Sequence, residues 1–307
     1  LALKAQSAKR EPALGLSTEI TPHSMKIILS RKGLDSSSGG VASPIFPDES
    51  LCSLPIPDSH SPIRLGALSF RETALASIAN DLTRGRITAR TRVHLDPDLA
   101  AATMHRERGW RAVFGQSGAS QSHLARRGVG VGDLFLFFGW FRRVGQVDRR
   151  WRYLRDAPDL HVIFGWLQVG ELARVDNSLR ARHPWLSYHP HLSNHRARNN
   201  TIYLRAPMLA LAGLRASGAG LFHRFHPALQ LTADGYSRRV WKLPRTFAPR
   251  DGRTPLSYHA DPCRWTPDGR DRVLLRSAGR GQEFVLDCDE YPAALPWLRE
   301  LFAQGSN

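Results

Sequence analysis

Two continuously apolar runs limit the fold most strongly. Residues 134–141 read LFLFFGWF and residues 161–170 read HVIFGWLQVG. Neither alternates apolar with polar, so both faces of each strand must be covered by other parts of the chain. Neither run approaches the ~20 residues of a membrane span. The longer stretch 129–141 also carries Asp133. The connection between the runs holds Arg142, Arg143, Arg149, Arg150, Arg152 and Arg155. The reading is a buried hairpin with a basic tip.

The rest of the chain supplies the covering layers. Residues 26–30 (KIILS) read as a strand. Residues 31–62 are dense in Gly, Ser and Pro, which excludes regular helix there. Residues 71–82 place Leu75, Ile78, Ala79 and Leu82 on one helical face. A further helix is expected over 116–126, starting near Ser117 or Ser120, and a turn over 128–133. Short strands follow at 201–204, 229–232, 240–243 and 283–287. A closing helix over 292–302 has Pro292 in its first turn. No internal repeat and no linker interrupts this order. The expected fold is α+β, one mixed domain over 25–307, with a largely antiparallel sheet and flanking helices. Residues 1–24 lack an apolar signal core and read as a disordered or non-native extension before Met25.

Composition narrows the partners. With 42% hydrophobic residues the chain can build a substantial core. The net charge is +16, and all but five of the 43 cations are arginines. Arginine forks suit phosphates and base edges, so DNA or a nucleotide is one reading of this charge. A GC-rich genome, which raises arginine everywhere, is the other. Cys52, Cys263 and Cys288 are scattered and suit neither a disulfide framework nor a cysteine zinc site, so a cytoplasmic setting is expected.

Five places carry candidate chemistry. In RKGLDSSSGG (31–40), Arg31 and Lys32 supply charge, and Ser36, Gly39 and Gly40 belong to a turn whose N–H groups can form an anion nest. Asp35 is the candidate base there. The order is not that of a P-loop, and a plain solvated turn fits equally well. In HLDPD (94–98), His94 and Asp96 share one face of an extended segment. They can do acid–base work or meet one metal, with His183, His189, His191 or His195 as a third ligand. That His-x-Asp…His order is the ligand order of iron-dependent dioxygenases; a capped strand end is the structural alternative. HPHLSN (189–194) offers His189, His191 and Asn194 as polar contacts to a base or phosphate. Trp140 and Trp166 each follow a glycine, which lets a ligand or a second backbone come close. Trp140 is the candidate base-stacking residue, and Asp133 begins its strand. Gln116 and His123 flank an expected helix start that can read polar ligand edges. No hydrolase elbow, H-E-x-x-H motif or Cys–His nucleophile is present, and no cofactor signature is legible.

The segments KIILSRKGLDSSSGGVASPIFPD, SLPIPD, HLDPDL, VGVGDLFLFFGWFR, HVIFGWLQVG, HPHLSN, NTIYL and QEFV, in this order, resemble the third class of nucleotide modification associated domains. The resemblance spans nearly everything after residue 24. It implies a bacterial or phage protein that takes part in DNA base hypermodification, with DNA or a nucleotide as partner and other base-modification enzymes in its company. It implies no particular reaction. The paired strands also resemble those of PUA-like and EVE domains, whose curved barrels hold modified bases. Three functions follow: an enzyme or accessory that holds a base or nucleotide in a pocket, a non-catalytic reader of modified DNA, and a metal-dependent base oxygenase.

Overall fold

The computed structural model describes residues 25–193, 197–279 and 281–305. Nine strands form one mixed sheet: β1 (Lys26–Arg31), β2 (Ser43–Ile45), β3 (Val113–Gln116), β4 (Leu134–Val147), β5 (Arg150–Tyr153), β6 (Leu160–Arg174), β7 (Thr201–Arg205), β8 (Ala219–Leu221) and β9 (Glu283–Asp287). The main path runs β9-β1-β4-β6-β7-β3, with β2 and β5 added to β4 and β8 to β6. Only β1 and β2 lie parallel to β4; the other pairs are antiparallel. The α+β, largely antiparallel expectation holds.

The sheet curls but is not a closed barrel. Its end strands β9 and β3 share no ladder, yet the Gln116 amide on β3 donates to Glu283 Oε1 on β9 at 2.6 Å. Inside the curl, Phe114 meets Phe135 and Phe137 at centroid distances of 4.9 and 5.2 Å. Outside it, Phe138 and Phe284 pack on Trp241. Trp241 belongs to a three-stranded sheet of Val240–Pro244, Arg272–Arg276 and Trp265–Asp268. Burial of β1, β4 and β6 between these layers explains their unbroken apolar runs.

The glycines before the tryptophans admit backbone rather than ligand. A Cβ on Gly139 would lie 2.7 Å from the Lys32 carbonyl oxygen, and one on Gly165 2.9 Å from that of Gly220. Trp166 is core: its indole N–H donates to the Ser217 carbonyl, and its ring packs on Phe222 and Phe302.

Among the described residues, five helices flank the sheet: α1 (Leu75–Leu82), α2 (Gly118–Arg126), α3 (Asn177–Arg182), α4 (Pro190–Ser193) and α5 (Ala294–Gly305). Three expectations shift. Helix α1 starts four residues late, because Ser69–Phe70 and Thr73–Ala74 pair across a turn at Arg71, whose φ is +54°. Residues 229–232 make only isolated bridges, Val162 with Gln230 and Thr232 with Trp241, after a 3₁₀ turn at Pro227–Leu229. Strand β4 runs past Arg142 to Val147 and pairs with β5, so most of the expected basic tip is ladder.

Candidate functional site

Strand β1 sorts its last residues by alternation. Arg31 stands on the outer face in register with Phe138, and Ser30 is in register with Phe137 inside. Lys32, one residue beyond Arg31, therefore turns inward. Its ammonium pairs with Glu283 at 2.8 Å and lies 4.6 Å from the Phe114 ring centroid. The Lys32 ammonium is thus engaged by Glu283 in the interior, although the residue also borders the cavity described below.

The turn that follows is closed by its own carboxylate. Asp35 Oδ1 accepts from Ser37 N, Ser37 Oγ and Ser38 N at 2.7–2.8 Å, and the Asp35 carbonyl accepts from Gly40 N. The expected anion nest is consequently filled by Asp35. Gly39 and Gly40 serve the turn with φ of +86° and +70°, and a Cβ on Gly39 would collide with Leu34 at 2.4 Å.

Beyond this turn lies a cavity of about 370 Å³ bordered by Arg31, Asp35, Ser36, Trp140, His161, Arg238 and Arg239. Arg31 donates to the carbonyls of Gly279 and Gly281. The Arg238 guanidinium stands 4.0 Å from the Trp140 ring centroid, bonds Ser36 Oγ, and pairs with Asp159 at 3.7 Å. One face of Trp140 is therefore covered by a cation, and its buried indole N–H has no partner among the described residues. Arg239 has no ion-pair partner among them.

The cations strain one another. Burial, then the guanidiniums of Arg239 and Arg238, hold Arg31 below its ordinary value despite Asp35. Burial with Arg31, Arg238 and Arg239 pushes His161 down to about 3. His161 Nδ1 accepts from Trp241 Nε1 at 3.0 Å, so the neutral ring carries its proton on Nε2. Between about pH 6.5 and 3 the unfolded chain holds a proton on His161 that the folded chain does not, so stability falls as pH falls through that window. His161→Gln keeps an acceptor for Trp241. From pH 6.5 to 5 the wild type is expected to lose between about 1 and 2 kcal/mol more than this variant in urea unfolding. Equal losses would refute the buried neutral imidazole.

A second cluster forms around Asp96, one turn of chain away. The segment 96–98 extends the edge beside β3: Asp98 and Val113 exchange backbone hydrogen bonds, and Gly115 N donates to Asp96 Oδ1 at 2.8 Å. His94 Nε2 and His191 Nε2 lie 3.7 and 3.5 Å from Asp96 Oδ2, and His189 Nε2 lies 3.5 Å from Oδ1. His191 is seated by Gly115, where a Cβ would fall 2.4 Å from the ring. Burial opposes charge on His94, but hydrogen bonds to Asp58 and Asp96 outweigh it and raise the ring to about 9. Burial likewise opposes charge on Asp96, and the three histidines nonetheless hold its carboxyl well below the usual range. Asp98 is structural: its carboxylate accepts from Arg106 and Tyr188. His94 and Asp96 border a cavity of about 90 Å³ that Gly33 also lines. Its neighbours Lys32 and Leu34 line the arginine cavity, so the two cavities flank one turn.

The remaining candidates stand elsewhere. Asp133 ties the start of β1, accepting from Lys26 N and Gly130 N. Gln116 bridges to Glu283, and His123 lies 3.0 Å from Ser257 Oγ against the Tyr258 ring. His183 pairs with Glu171. Asn194 and His195 lie outside the described residues. Sequence reading missed Arg238, Arg239, Asp58 and Asn200. The last two belong to the segments SLPIPD and NTIYL that carry the family resemblance; the arginines have no signal beyond being an adjacent pair before a strand.

Comparison with known proteins agrees with that resemblance. The family model for nucleotide modification associated domain 3 matches residues 26–287. No curated protein and no solved structure matches the chain. No helix among the described residues is long and apolar enough to cross a membrane.

Proposed function

The chain belongs to the nucleotide modification associated domain 3 family, and from that premise we propose that it holds a nucleotide, free or within DNA, by its phosphate in the arginine cavity and takes part in modifying the base. One observation carries the reading: Arg31, Arg238 and Arg239 surround a single cavity in which, among the described residues, Asp35 is the only bordering carboxylate, and that carboxylate already caps its own turn. A phosphate would relieve the mutual repulsion of the guanidiniums, each contact being worth about 1.5–3 kcal/mol. The Nε2–H of His161 adds a neutral donor. Because Arg238 covers one face of Trp140, a base would stack on the other face or on the guanidinium itself. This reading sets the protein in the cytoplasm, beside other base-modification enzymes.

A pure reader of modified DNA would need the arginine cavity alone. The partly buried His94–Asp96–His191 cluster on the other side of the same turn favours an enzyme.

Calorimetric titration with a nucleoside monophosphate and with inorganic pyrophosphate, at low and moderate salt, tests the proposal. One site is expected, weakening with salt. The pair Arg238→Ala/Arg239→Ala should weaken it at least about tenfold. No binding by the wild type, or equal binding by the folded variant, would overturn it.

A further inference from the structure

We infer that His94 Nε2, Asp96 Oδ2 and His191 Nε2 together bind one divalent first-row transition metal ion. The inference stands independently of the arginine cavity. The three ligand atoms lie within 4.8 Å of one another. The separations from Asp96 Oδ2, 3.5 and 3.7 Å, are long for hydrogen bonds. They slightly exceed the ~3.0–3.4 Å expected between neighbouring octahedral or tetrahedral ligands held about 2.1 Å from one ion, so a small inward movement closes the site.

The outer hydrogen bonds fix which nitrogen faces the carboxylate. Asn200 Nδ2 donates to the His191 carbonyl at 2.7 Å, which orients the amide so that its Oδ1 faces His191 Nδ1 at 2.6 Å. His191 Nδ1 must then carry hydrogen, and the lone pair of Nε2 faces Asp96. His94 is held the same way, with Nδ1 2.9 Å from Asp58 Oδ2. Such outer partners are the usual means of orienting metal-bound imidazoles. Asp96 Oδ1 is occupied by Gly115 N, leaving Oδ2 for the ion. Once His94 gives up its Nε2 proton, the lone pairs of two imidazoles and a carboxylate oxygen converge on one point, where a cation takes the place of that proton.

Two imidazoles and one carboxylate suit Fe²⁺, Mn²⁺, Co²⁺ or Zn²⁺ rather than Mg²⁺ or Ca²⁺, which prefer oxygen. Three protein ligands leave coordination positions open, and the cavity bordered by His94 and Asp96 is where water or a substrate atom would take them.

The test uses untagged, chelator-treated protein titrated with Co²⁺ alone, followed by visible absorption and by metal analysis after dialysis. One equivalent per chain is expected, with absorption bands from an imidazole–carboxylate environment. Asp96→Asn and His191→Ala should each weaken binding by about 10-fold or more. Substitution of the exposed His105 by alanine and the Arg238→Ala/Arg239→Ala pair should leave cobalt binding unchanged. Wild-type protein that retains well under one equivalent would overturn the inference whether or not the variants fold. Equal binding by wild type and Asp96→Asn would overturn it too.

Discussion

Replacing Glu283 by leucine is expected to destabilise the protein by about 3–5 kcal/mol, the cost of leaving one member of a buried ion pair without its partner. The Glu283 side chain is 1% exposed and that of Lys32 10%. Glu283 Oε1 takes both the Lys32 ammonium and the Gln116 amide, which join the two ends of the curled sheet. Leucine fills the space but leaves the ammonium facing Phe114 with no anion, and it frees the β3 end from β9. The double variant Lys32→Met/Glu283→Leu removes both charges and should recover most of the loss, since apolar replacement of a whole buried pair is often neutral. Urea unfolding followed by tryptophan fluorescence measures both. A single-variant loss under about 1 kcal/mol would mean the pair is better hydrated than its burial implies.

Much of the framework was legible because period and composition report burial directly. The unbroken runs at 134–141 and 161–170 became central strands, and Leu75, Ile78, Ala79 and Leu82 do share the buried face of α1. The hairpin of Trp265–Asp268 and Arg272–Arg276 was missed, although Asp268-Gly269 is a common turn pair. Its strands are half polar because one side faces solvent. A curved sheet was expected from the resemblance to PUA-like and EVE strands alone. Period and composition carry no sign of it, since curvature depends on how far β3 travels before meeting β9. The curl stops short of a closed barrel.

The site was legible in parts. Spacing placed His94 and Asp96 on one face and named His191 among the possible third ligands, and the structure brings these three together. It could not choose between His189 and His191, which approach different Asp96 oxygens and of which His191 is held by Asn200. The anion reading of residues 31–40 set Arg31 and Lys32 side by side, and the structure separates their charges. Adjacent cations on a strand point to opposite faces, and the Lys32 ammonium turns to Glu283. The nest it foresaw is real but closed by Asp35. The charges that complete the cavity, Arg238 and Arg239, lie some two hundred residues away in sequence and arrive there through the three-stranded sheet.

The larger functional effect is expected in the cell. Arg238→Ala/Arg239→Ala removes the proposed phosphate grip, and Asp96→Asn removes the buried charge that gathers three histidines. Neither touches the Lys32–Glu283 pair, so both proteins should remain folded. If the two cavities on either side of the 31–35 turn serve one reaction, either change alone should abolish it. The direct measurement is mass spectrometry of nucleosides from the DNA and the nucleotide pool of cells carrying the wild-type gene, each variant, or no gene. The wild type should yield a modified nucleoside that is absent without the gene and at least about tenfold depleted in both variants. Identical nucleoside content with the wild type, with both variants and without the gene would contradict a role for this site in nucleotide modification.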